Sequence, residues 1–465
     1  MTGERKTVAI QGLGFVGSAM AVATAIASDA DGAPLFDVVG VDLPNGDGVR
    51  RASAISEGKF PFATGDQALI DATRAAHRAG NLRATTDPSV YGTADIIVVD
   101  VHLDVDQTDG DSAKVDFAPF RAALTDIGTR AKPGALVIVE TTVPPGTCQK
   151  VAAPVLADCL RARGLAEDAI LLAHSYERVM PGDGYLDSIR NFWRVYAGHT
   201  EQAAVACAEF LADIIDTDRF PLTRLSTTTE SEFAKAMENA YRAVNIAFVE
   251  EWARLAERIG VDTFDVVNAI RVRPTHNNIR QPGFGVGGYC LTKDPLLAEV
   301  AATQLFDAGE LDFPFSRTAI RVNRQMPLET LRHLENALGG LSGRRILLLG
   351  VTYRQDVGDT RYSPSTTFAQ AAMARGAVVT AYDPCAEEWP EVDLPLEPAM
   401  PDANGFDAVV LAVPHRAFRS HDFANWLNGS EALLFDANDV LTPQVRAALN
   451  EIGVRTASIG RGVRP

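Results

Sequence analysis

The chain has 465 residues, enough for two large domains or about three ordinary ones with full hydrophobic cores. Hydrophobic residues make up 46% and charged residues 22%, and no uncharged apolar run approaches the roughly 18 residues that a membrane span needs. The formal charge of −17 disfavours a broad nucleic-acid-binding surface, so we expect a soluble protein with no membrane or nucleic-acid partner.

The N-terminal sequence passes directly into a strand-like apolar run, without the apolar core and cleavage site of a signal peptide. We therefore expect a cytoplasmic protein. Its five cysteines are scattered, without C-x-x-C pairs or nearby histidines, so the sequence predicts no metal site and no disulfide framework. At most one or two should have a chemical role. They are Cys148, Cys159, Cys207, Cys290 and Cys385.

The first segment alternates short β-branched runs with alanine-rich helical stretches, which predicts a parallel α/β sheet. Its runs are TVAIQGLGFVGSAMAVATAIAS, DVVGVDLPN, ADIIVVDVHLD and ALVIVETTVPPGT.

Three glycines, Gly12, Gly14 and Gly17, lie between the first strand and the first helix as G-L-G-F-V-G. They permit a tight turn and the close approach of a pyrophosphate to the helix N-terminus. Asp42 ends the next predicted strand, where a carboxylate binds ribose hydroxyls and repels a 2′-phosphate. The pattern therefore favours NAD over NADP. The alternative is a structural turn without a cofactor.

Two polar residues follow later strands of this segment. Thr142, in ETTVPPGTC, is placed at the end of a strand beside Pro144 and Pro145, where its hydroxyl could hold a water in the cleft. Taken alone, it could equally stabilise the turn. Glu177, in HSYERVMPG, is a candidate base if it lies in the same cleft.

A helix of unusual length is predicted between Thr227 and Gly260, because apolar residues recur there at three- and four-residue steps without proline. The threonine run supplies an N-cap, and Gly260 a stop. Lys235 and Asn239 are i,i+4 neighbours that could stabilise an oxyanion, unless they only line a solvated face. We expect Phe248 and Trp252 to be packing residues.

Cys290 follows GFGVGG and precedes LTKDP, so a flexible glycine loop would deliver it to the start of a helix. Amide groups there favour a thiolate. Asp294 lies four residues later, on the same face of a helix, close enough to orient a water or accept a proton. The alternative for an isolated cysteine is a buried structural role.

A second alternation of strands and helices begins after Ser342 and predicts another small parallel α/β domain. The fold class is therefore α/β, with two Rossmann-like, doubly wound parallel-sheet domains joined by a long central helix. We find no internal repeat.

The chain resembles the UDP-glucose/GDP-mannose dehydrogenase family of nucleotide-sugar 6-dehydrogenases over nearly its whole length. The resemblance implies an NAD-binding domain at 1–215, a central helical dimerisation domain with the cysteine loop at 216–330, and a nucleotide-sugar (UDP) binding domain at 331–465. It rests on GLGFVG, ETTVPPGT, ERVMPG, EFAKAMENAYRAVNIAF, GFGVGGYCLTKDP, VNRQMP, and LGVTYRQDVGDTRYSP followed by AYDP.

Residue roles follow from the same resemblance. It implies that Cys290 is the nucleophile, that Lys235 and Asn239 stabilise oxyanions, and that Asp294, Thr142 and Glu177 manage the water and the hydrolysis. The implied cofactor-binding residues are Gly12, Gly14, Phe15, Val16, Gly17, Asp42 and Thr142. The implied substrate-binding residues are Glu177, Arg178, Lys235, Asn239, Arg242, Gly287 and Arg361.

The implied reaction is a four-electron, NAD-dependent oxidation of the sugar C6 alcohol to a uronic acid through a thiohemiacetal and a thioester on Cys290. ERVMPG and RAVNIAF favour UDP-N-acetylglucosamine or UDP-N-acetylmannosamine as the substrate; UDP-glucose is the alternative. The resemblance also implies a homodimer formed through the central helix.

Four features depart from the family pattern near the predicted pockets. VHLD stands where VPTP is usual, Tyr176 replaces a proline, Tyr289 precedes the cysteine, and His276 stands where an arginine is expected. Two rival functions stay open. One is a two-electron dehydrogenase of the 6-phosphogluconate or hydroxyacid type, which needs no cysteine, and the other is a non-catalytic nucleotide-sugar sensor.

Overall fold

The computed structural model of the protein describes residues 5–106 and 113–462. They belong to two compact units: the first runs to Glu238 and includes Leu296–Asp312, and the second comprises Asn239–Pro295 and the chain from Phe313 onward. The division falls inside one long helix. The three-domain division, with boundaries at 215 and 330, stays a prediction.

Strands and helices alternate along most of the chain. In chain order the strands are β1 (Lys6–Gln11), β2 (Phe36–Val41), β3 (Leu82–Thr85), β4 (Ile96–Val99), β5 (Val105–Asp106), β6 (Lys114–Val115), β7 (Leu136–Val139), β8 (Leu171–Tyr176), β9 (Val195–Gly198), β10 (Thr223–Arg224), β11 (Arg345–Leu349), β12 (Val378–Tyr382), β13 (Ala408–Leu411), β14 (Leu433–Asp436) and β15 (Thr456–Ser458).

The α-helices range from single turns to one helix of 32 residues. In chain order they are α1 (Phe15–Ala25), α2 (Gly46–Ser56), α3 (Gln67–Ala79), α4 (Ala118–Arg130), α5 (Ala153–Ala162), α6 (Tyr185–Arg190), α7 (Glu201–Ile214), α8 (Thr228–Ile259), α9 (Thr263–Arg271), α10 (Tyr289–Lys293), α11 (Leu297–Val300), α12 (Pro314–Leu338), α13 (Pro364–Ala374), α14 (Arg416–Arg419), α15 (Phe423–Trp426) and α16 (Pro443–Glu451).

The first unit contains a twisted sheet with the order β10-β9-β8-β7-β4-β1-β2-β3. The six neighbouring strands β8-β7-β4-β1-β2-β3 are parallel to one another, but β9 runs antiparallel to β8. The sheet is therefore mixed, whereas the sequence predicts a parallel sheet. The strand order reverses at β1, which lies between β2 and β4. In open α/β sheets, ligands bind outside the carboxyl ends of the strands at such a reversal.

The second unit contains a five-stranded sheet with the order β12-β11-β13-β14-β15, parallel throughout. This is the second common doubly wound order. Strands β13 and β14 are buried along their whole length, as expected for parallel strands covered on both faces. The predicted pair of Rossmann-like domains is confirmed, as is the long helix.

Helix α8 begins and ends close to where the sequence predicts. The Thr227 hydroxyl accepts a hydrogen bond from the Glu230 amide, and the Glu230 carboxylate accepts from the Ser226 and Thr227 amides. This reciprocal capping satisfies backbone donors that the first turn leaves unpaired. Gly260 follows the last turn with a φ of +77°, which favours glycine.

Among the residues described, no helix combines the length and the apolar character needed to cross a bilayer.

Candidate active site

The turn between β1 and α1 requires glycine at two positions and leaves open space at a third. Gly12 has a φ of +92°, and a Cβ there would lie 2.4 Å from the Asp100 carbonyl oxygen. A Cβ on Gly17 would lie 1.9 Å from the Gly12 oxygen, whereas one on Gly14 would meet nothing within 4 Å. The turn thus leaves an open cradle before α1, which fits a dinucleotide pyrophosphate.

Two further residues of this motif lie in the first turn of α1. Both Phe15 and Val16 are half-buried. The Phe15 ring stacks on Phe62 with 4.1 Å between centroids, and its carbonyl accepts the Tyr185 hydroxyl at 2.6 Å. These contacts fix the backbone that follows the glycine turn.

Asp42 follows β2 directly and is buried beside the glycine turn. Its carboxylate accepts from the Leu13 amide at 3.3 Å and the Leu43 amide at 2.8 Å. Arg51 Nε on α2 lies 2.7 Å from the same carboxylate. Sequence reasoning missed this arginine, although its place on the helix after Asp42 was a usable signal.

Glu177 and Lys235 come together in the first unit. The Lys235 ammonium donates to the Glu177 carbonyl oxygen at 2.9 Å and lies 3.6 Å from a carboxylate oxygen of the same residue. Both side chains are buried, so Lys235 does not line a solvated face. The Glu177 carboxylate also accepts from the Val179 amide.

Thr142 lies three residues past β7 and is half-buried. Its neighbour Thr141 donates its hydroxyl to the Val99 and Val101 carbonyls at 3.0 and 2.9 Å. Thr141 therefore ties the segment to β4, and Thr142 is the next residue along this fixed backbone.

Asn239 and Asp294 come together in the second unit. Asn239 Nδ2 donates to Asp294 Oδ2 at 2.7 Å, and Lys293 Nζ lies 3.0 Å from Asp294 Oδ1. All three side chains are buried. Sequence analysis assigned no role to Lys293.

Cys290 is exposed on α10, a five-residue helix that begins after Gly288. The predicted helix start is confirmed. Asp294 follows α10 directly, and its amide donates a hydrogen bond to the Cys290 carbonyl, so the two residues lie one helical turn apart, as their spacing predicts. The Asp294 side chain is buried, whereas Cys290 is exposed.

The glycines before Cys290 are needed for close packing rather than for flexibility, which corrects a second expectation. A Cβ on Gly287 would lie 2.4 Å from the Tyr362 carbonyl oxygen. One on Gly288, where φ is +78°, would lie 2.8 Å from the Tyr353 ring. The loop therefore rests directly against the segment that contains Arg361.

Arg361 is positioned by this packing. Its guanidinium donates to both oxygens of Asp359, at 2.9 and 2.8 Å, and to the Tyr289 hydroxyl at 2.9 Å. Its Cζ also lies 4.8 Å from the Tyr289 ring centroid. Tyr289, which sequence analysis noted only as a departure, thus connects Arg361 to the helix that contains Cys290.

Two further predicted substrate residues have different surroundings. Arg178, in the first unit, donates to Glu238 at 2.9 Å and to the Trp193 carbonyl at 2.9 Å. Arg242, in the second unit, is exposed on α8.

One group outside these residues has the composition of a metal site. Ligand atoms of Asp356, Cys385 and His415 lie within 4.8 Å of one another. However, His415 Nδ1 accepts the Asp356 amide at 2.9 Å, and the Asp356 carboxylate binds Arg416 at 2.9 Å. The donor atoms are thus engaged in hydrogen bonds, and the geometry favours a structural network over a metal site.

Sequence profiles of three domains of one family match the chain in order. They are the NAD binding domain (residues 6–215), the central domain (229–325) and the UDP binding domain (347–443) of the UDP-glucose/GDP-mannose dehydrogenase family. Together they cover most of the chain.

Relatives of full length show the same similarity. The chain is 30% identical to UDP-N-acetyl-D-mannosamine dehydrogenase of Methanocaldococcus jannaschii, over 90% of this chain and 88% of the relative. It is also 30% identical to NDP-N-acetyl-D-galactosaminuronic acid dehydrogenase of Ralstonia nicotianae, over 90% of this chain and 92% of the relative. Both are nucleotide-sugar dehydrogenases by name.

Solved structures agree in fold. The structure of UDP-D-ManNAc dehydrogenase from Pyrococcus horikoshii matches with a TM-score of 0.81 at 26% identity, covering 98% of this chain and 100% of that one. A UDP-glucose dehydrogenase from Pyrobaculum islandicum has the same fold, with a TM-score of 0.82 at 24% identity and 99% of each chain covered.

Alanine at Gly17 and at Gly14 should have different effects. We expect Gly17→Ala to lower the Tm by several degrees, because its Cβ would meet the Gly12 oxygen at 1.9 Å. Gly14→Ala should keep the wild-type Tm and weaken NAD binding by about tenfold, because its Cβ enters the cradle. Thermal unfolding and calorimetric titration with NAD measure the two effects. A Gly14→Ala protein that binds NAD as tightly as the wild type would place the pyrophosphate elsewhere.

Acid should destabilise the fold through His174, which is buried on β8 with Nδ1 2.8 Å from the Ser231 hydroxyl. Burial lowers the pKa of His174 from 6.5 to about 3. Between these values the unfolded chain binds the proton and the folded chain does not, so this stability is present above pH 6.5 and lost as the pH falls.

The free energy of unfolding in urea, measured from pH 7 to pH 5, tests this effect. The wild type should lose about 2 kcal/mol more than His174→Asn over that range. His77→Asn, at an exposed histidine of the same unit, serves as the control and should lose as much as the wild type. Equal losses in all three proteins would contradict the assignment of His174.

Proposed function

Because the chain belongs to the UDP-glucose/GDP-mannose dehydrogenase family, we propose that it oxidises the C6 alcohol of a UDP-N-acetylhexosamine to the uronic acid. The protein is an NAD-dependent nucleotide-sugar dehydrogenase. The proposal concerns the sugar and the covalent route through Cys290.

The sugar is inferred from the relatives together with the chain's own motifs. The Methanocaldococcus jannaschii and Ralstonia nicotianae enzymes are named for N-acetylated hexosamine substrates or products. ERVMPG and RAVNIAF favour the same branch. We therefore propose UDP-N-acetylglucosamine or UDP-N-acetylmannosamine, with UDP-glucose as the alternative.

The cofactor would be held by the first unit. The backbone of Gly12 through Gly17 would hold its pyrophosphate at the start of α1, and Asp42 would bind its ribose hydroxyls. When bound, NAD accepts the hydride that leaves the sugar C6 in each oxidation. Arg51 orients the Asp42 carboxylate from the side of α2.

Lys235 and Asn239 would stabilise the negative charge that develops on the C6 oxygen. They stand one turn apart on α8, and both are buried. Glu177 fixes the position of the Lys235 ammonium, and Asp294 fixes the carboxamide of Asn239. Donors held in place before the reaction stabilise an oxyanion without the cost of reorganisation, and the loss of one typically costs about 100-fold in rate.

Cys290 would form the covalent intermediate. Its sulfur bonds to the aldehyde carbon while the aldehyde oxygen is protonated, giving a thiohemiacetal; oxidation then gives a thioester. The observation that carries this proposal is the buried group of Asn239, Lys293 and Asp294 at the end of the helix that exposes Cys290. It holds the helix in place while the thiol stays accessible.

Water would then release the uronic acid from Cys290. Asp294 and Thr142 would orient this water, and the Glu177 carboxylate would assist the hydrolysis. The remaining groups proposed to contact the substrate are Arg178, Arg242, Gly287 and Arg361. The guanidinium of Arg361 is held in place by the Asp359 carboxylate and the Tyr289 hydroxyl.

Turnover with NAD and a panel of UDP-, GDP- and dTDP-sugars tests the function. A UDP-N-acetylhexosamine should be the best substrate and should yield two NADH and one carboxylate per sugar. Cys290→Ser should abolish uronate formation, whereas Cys385→Ser, at a half-buried cysteine of the same unit, should keep it. One NADH and a ketone product would favour a two-electron dehydrogenase. Nucleotide-sugar binding without any NADH would favour a sensor.

We also propose a homodimer formed through one face of α8. Seven large apolar side chains along this face are 51–62% exposed in the single chain. They make up the α8 stripe: Phe233, Met237, Tyr241, Phe248, Trp252, Leu255 and Ile259. Phe248 and Trp252, which we expect to be packing residues, are exposed in the single chain and would pack across this interface. Contiguous exposed apolar surface of this kind marks a protein interface, and the partner that best fits is a second copy of the same helix.

Trp252→Asp should convert the dimer to a monomer, because it places a charge at the centre of a stripe that association would bury. Sedimentation velocity would show the mass fall by about half. Val205→Asp is the matched control, since Val205 is 47% exposed on α7, away from the stripe. A monomeric wild type would refute the proposed dimer.

A further inference from the structure

Tyr176 is the last residue of β8 and is 1% exposed. It occupies the position before Glu177 at which the family pattern has proline. An aromatic ring buried next to a charged site is a departure that needs a physical reason.

Two cations lie close to the ring of Tyr176. The Lys235 ammonium is 5.3 Å from the ring centroid, and Cζ of Arg178 is 5.6 Å from it. Both distances fall within the range in which a cation is attracted to the face of an aromatic ring. Because the ring is buried, little water competes for this attraction.

The positive charge of Arg178 is balanced by Glu238, separately from the charge of Lys235. Arg178 pairs with Glu238 at 2.9 Å, and the Tyr176 hydroxyl lies 3.4 Å from both residues. Burial raises the pKa of the Tyr176 phenol, so the ring keeps its proton and adds no negative charge. Arg178 and Glu238 therefore form a pair that holds the hydroxyl edge of the ring.

Lys235 is also held by Glu177, the residue that follows Tyr176. Its ammonium donates to the Glu177 carbonyl at 2.9 Å. A lysine side chain has four rotatable bonds and loses much rotational freedom when it is fixed. The carbonyl and carboxylate of Glu177, at 2.9 and 3.6 Å, and the ring of Tyr176 together limit the positions that the ammonium can take.

From this geometry we infer that Tyr176 is a positioning residue for Lys235, and that its ring, rather than its hydroxyl, performs this role. The inference rests on the proposed function, in which Lys235 stabilises the C6 oxyanion. A leucine fills much of the same volume but has no ring face, so the ammonium would occupy several positions. The rate of the chemical step would then fall while substrate binding would change little.

Steady-state kinetics of three variants tests the inference. Tyr176→Leu should lower kcat by roughly tenfold and leave KM within about threefold. Tyr176→Phe keeps the ring and should retain most of kcat. Tyr91→Leu is the control for lost packing, because Tyr91 is also 1% exposed in the first unit but lies outside the proposed site. It should lower the Tm without lowering kcat at temperatures at which it is folded.

A double-mutant cycle with Lys235→Met separates positioning from a general structural effect. In the Lys235→Met background, Tyr176→Leu should lower the residual rate less than twofold, because there is no ammonium left to position. An undiminished effect in that background, or a Tyr176→Phe protein as slow as Tyr176→Leu, would overturn the role of the ring. If Lys235→Met itself turned over at the wild-type rate, the proposed role of Lys235 would fail, and the inference with it.

Discussion

Polar side chains that lose their contact with water must find partners inside the protein, and α8 satisfies this constraint along one of its sides. Ser231 binds His174, Glu232 accepts from the Gly146 and Cys148 amides, Lys235 binds Glu177, and Asn239 binds Asp294. Three of these contacts reach β8 or the segments that follow β7 and β8, and the fourth reaches the residue that follows α10. The helix thereby fixes the segments that carry the proposed chemistry.

Glu232 shows how far this constraint reaches. Its two carboxylate oxygens accept amides from the turn that follows Thr142, and burial raises its pKa to about 7. Hydrogen bonds from backbone amides to a charged carboxylate are shorter and stronger than neutral ones. The proline-rich segment after β7 thus owes its conformation to a residue far along the chain.

Local signals explain which parts of this structure the sequence predicts. The glycine turn before α1, the caps of α8 and the alternation of strands and helices depend on residues near each other in the chain, and all are present. The partners of Lys235 and Asn239 are 58 and 55 residues away, so spacing alone left a solvated face open. The exposed position of Trp252 was missed for a related reason, since periodicity identifies an apolar face without showing what covers it.

The two sheets use the same position for different purposes. Asp42 follows β2, and its carboxylate accepts a hydrogen bond from the Leu13 amide in the loop after β1. Asp383 follows β12, and its carboxylate accepts hydrogen bonds from the Val351 and Thr352 amides in the loop after β11. In the second sheet, His415 also binds Asp383 at 3.1 Å. Asp42 would bind a ribose in the first sheet, whereas the corresponding Asp383 is paired with the His415 imidazole in the second. Similar topology therefore does not imply a second dinucleotide site.

The opposite characters of the two sides of α8 limit how this helix can change during evolution. Inserting or deleting one residue rotates everything beyond it by about 100°. Such a change near the middle of α8 would either turn Asn239 away from Asp294 or turn part of the α8 stripe away from the surface. Changes in length should therefore be tolerated in the surface loops of this protein, while the residue count of α8 between Lys235 and Ile259 stays fixed.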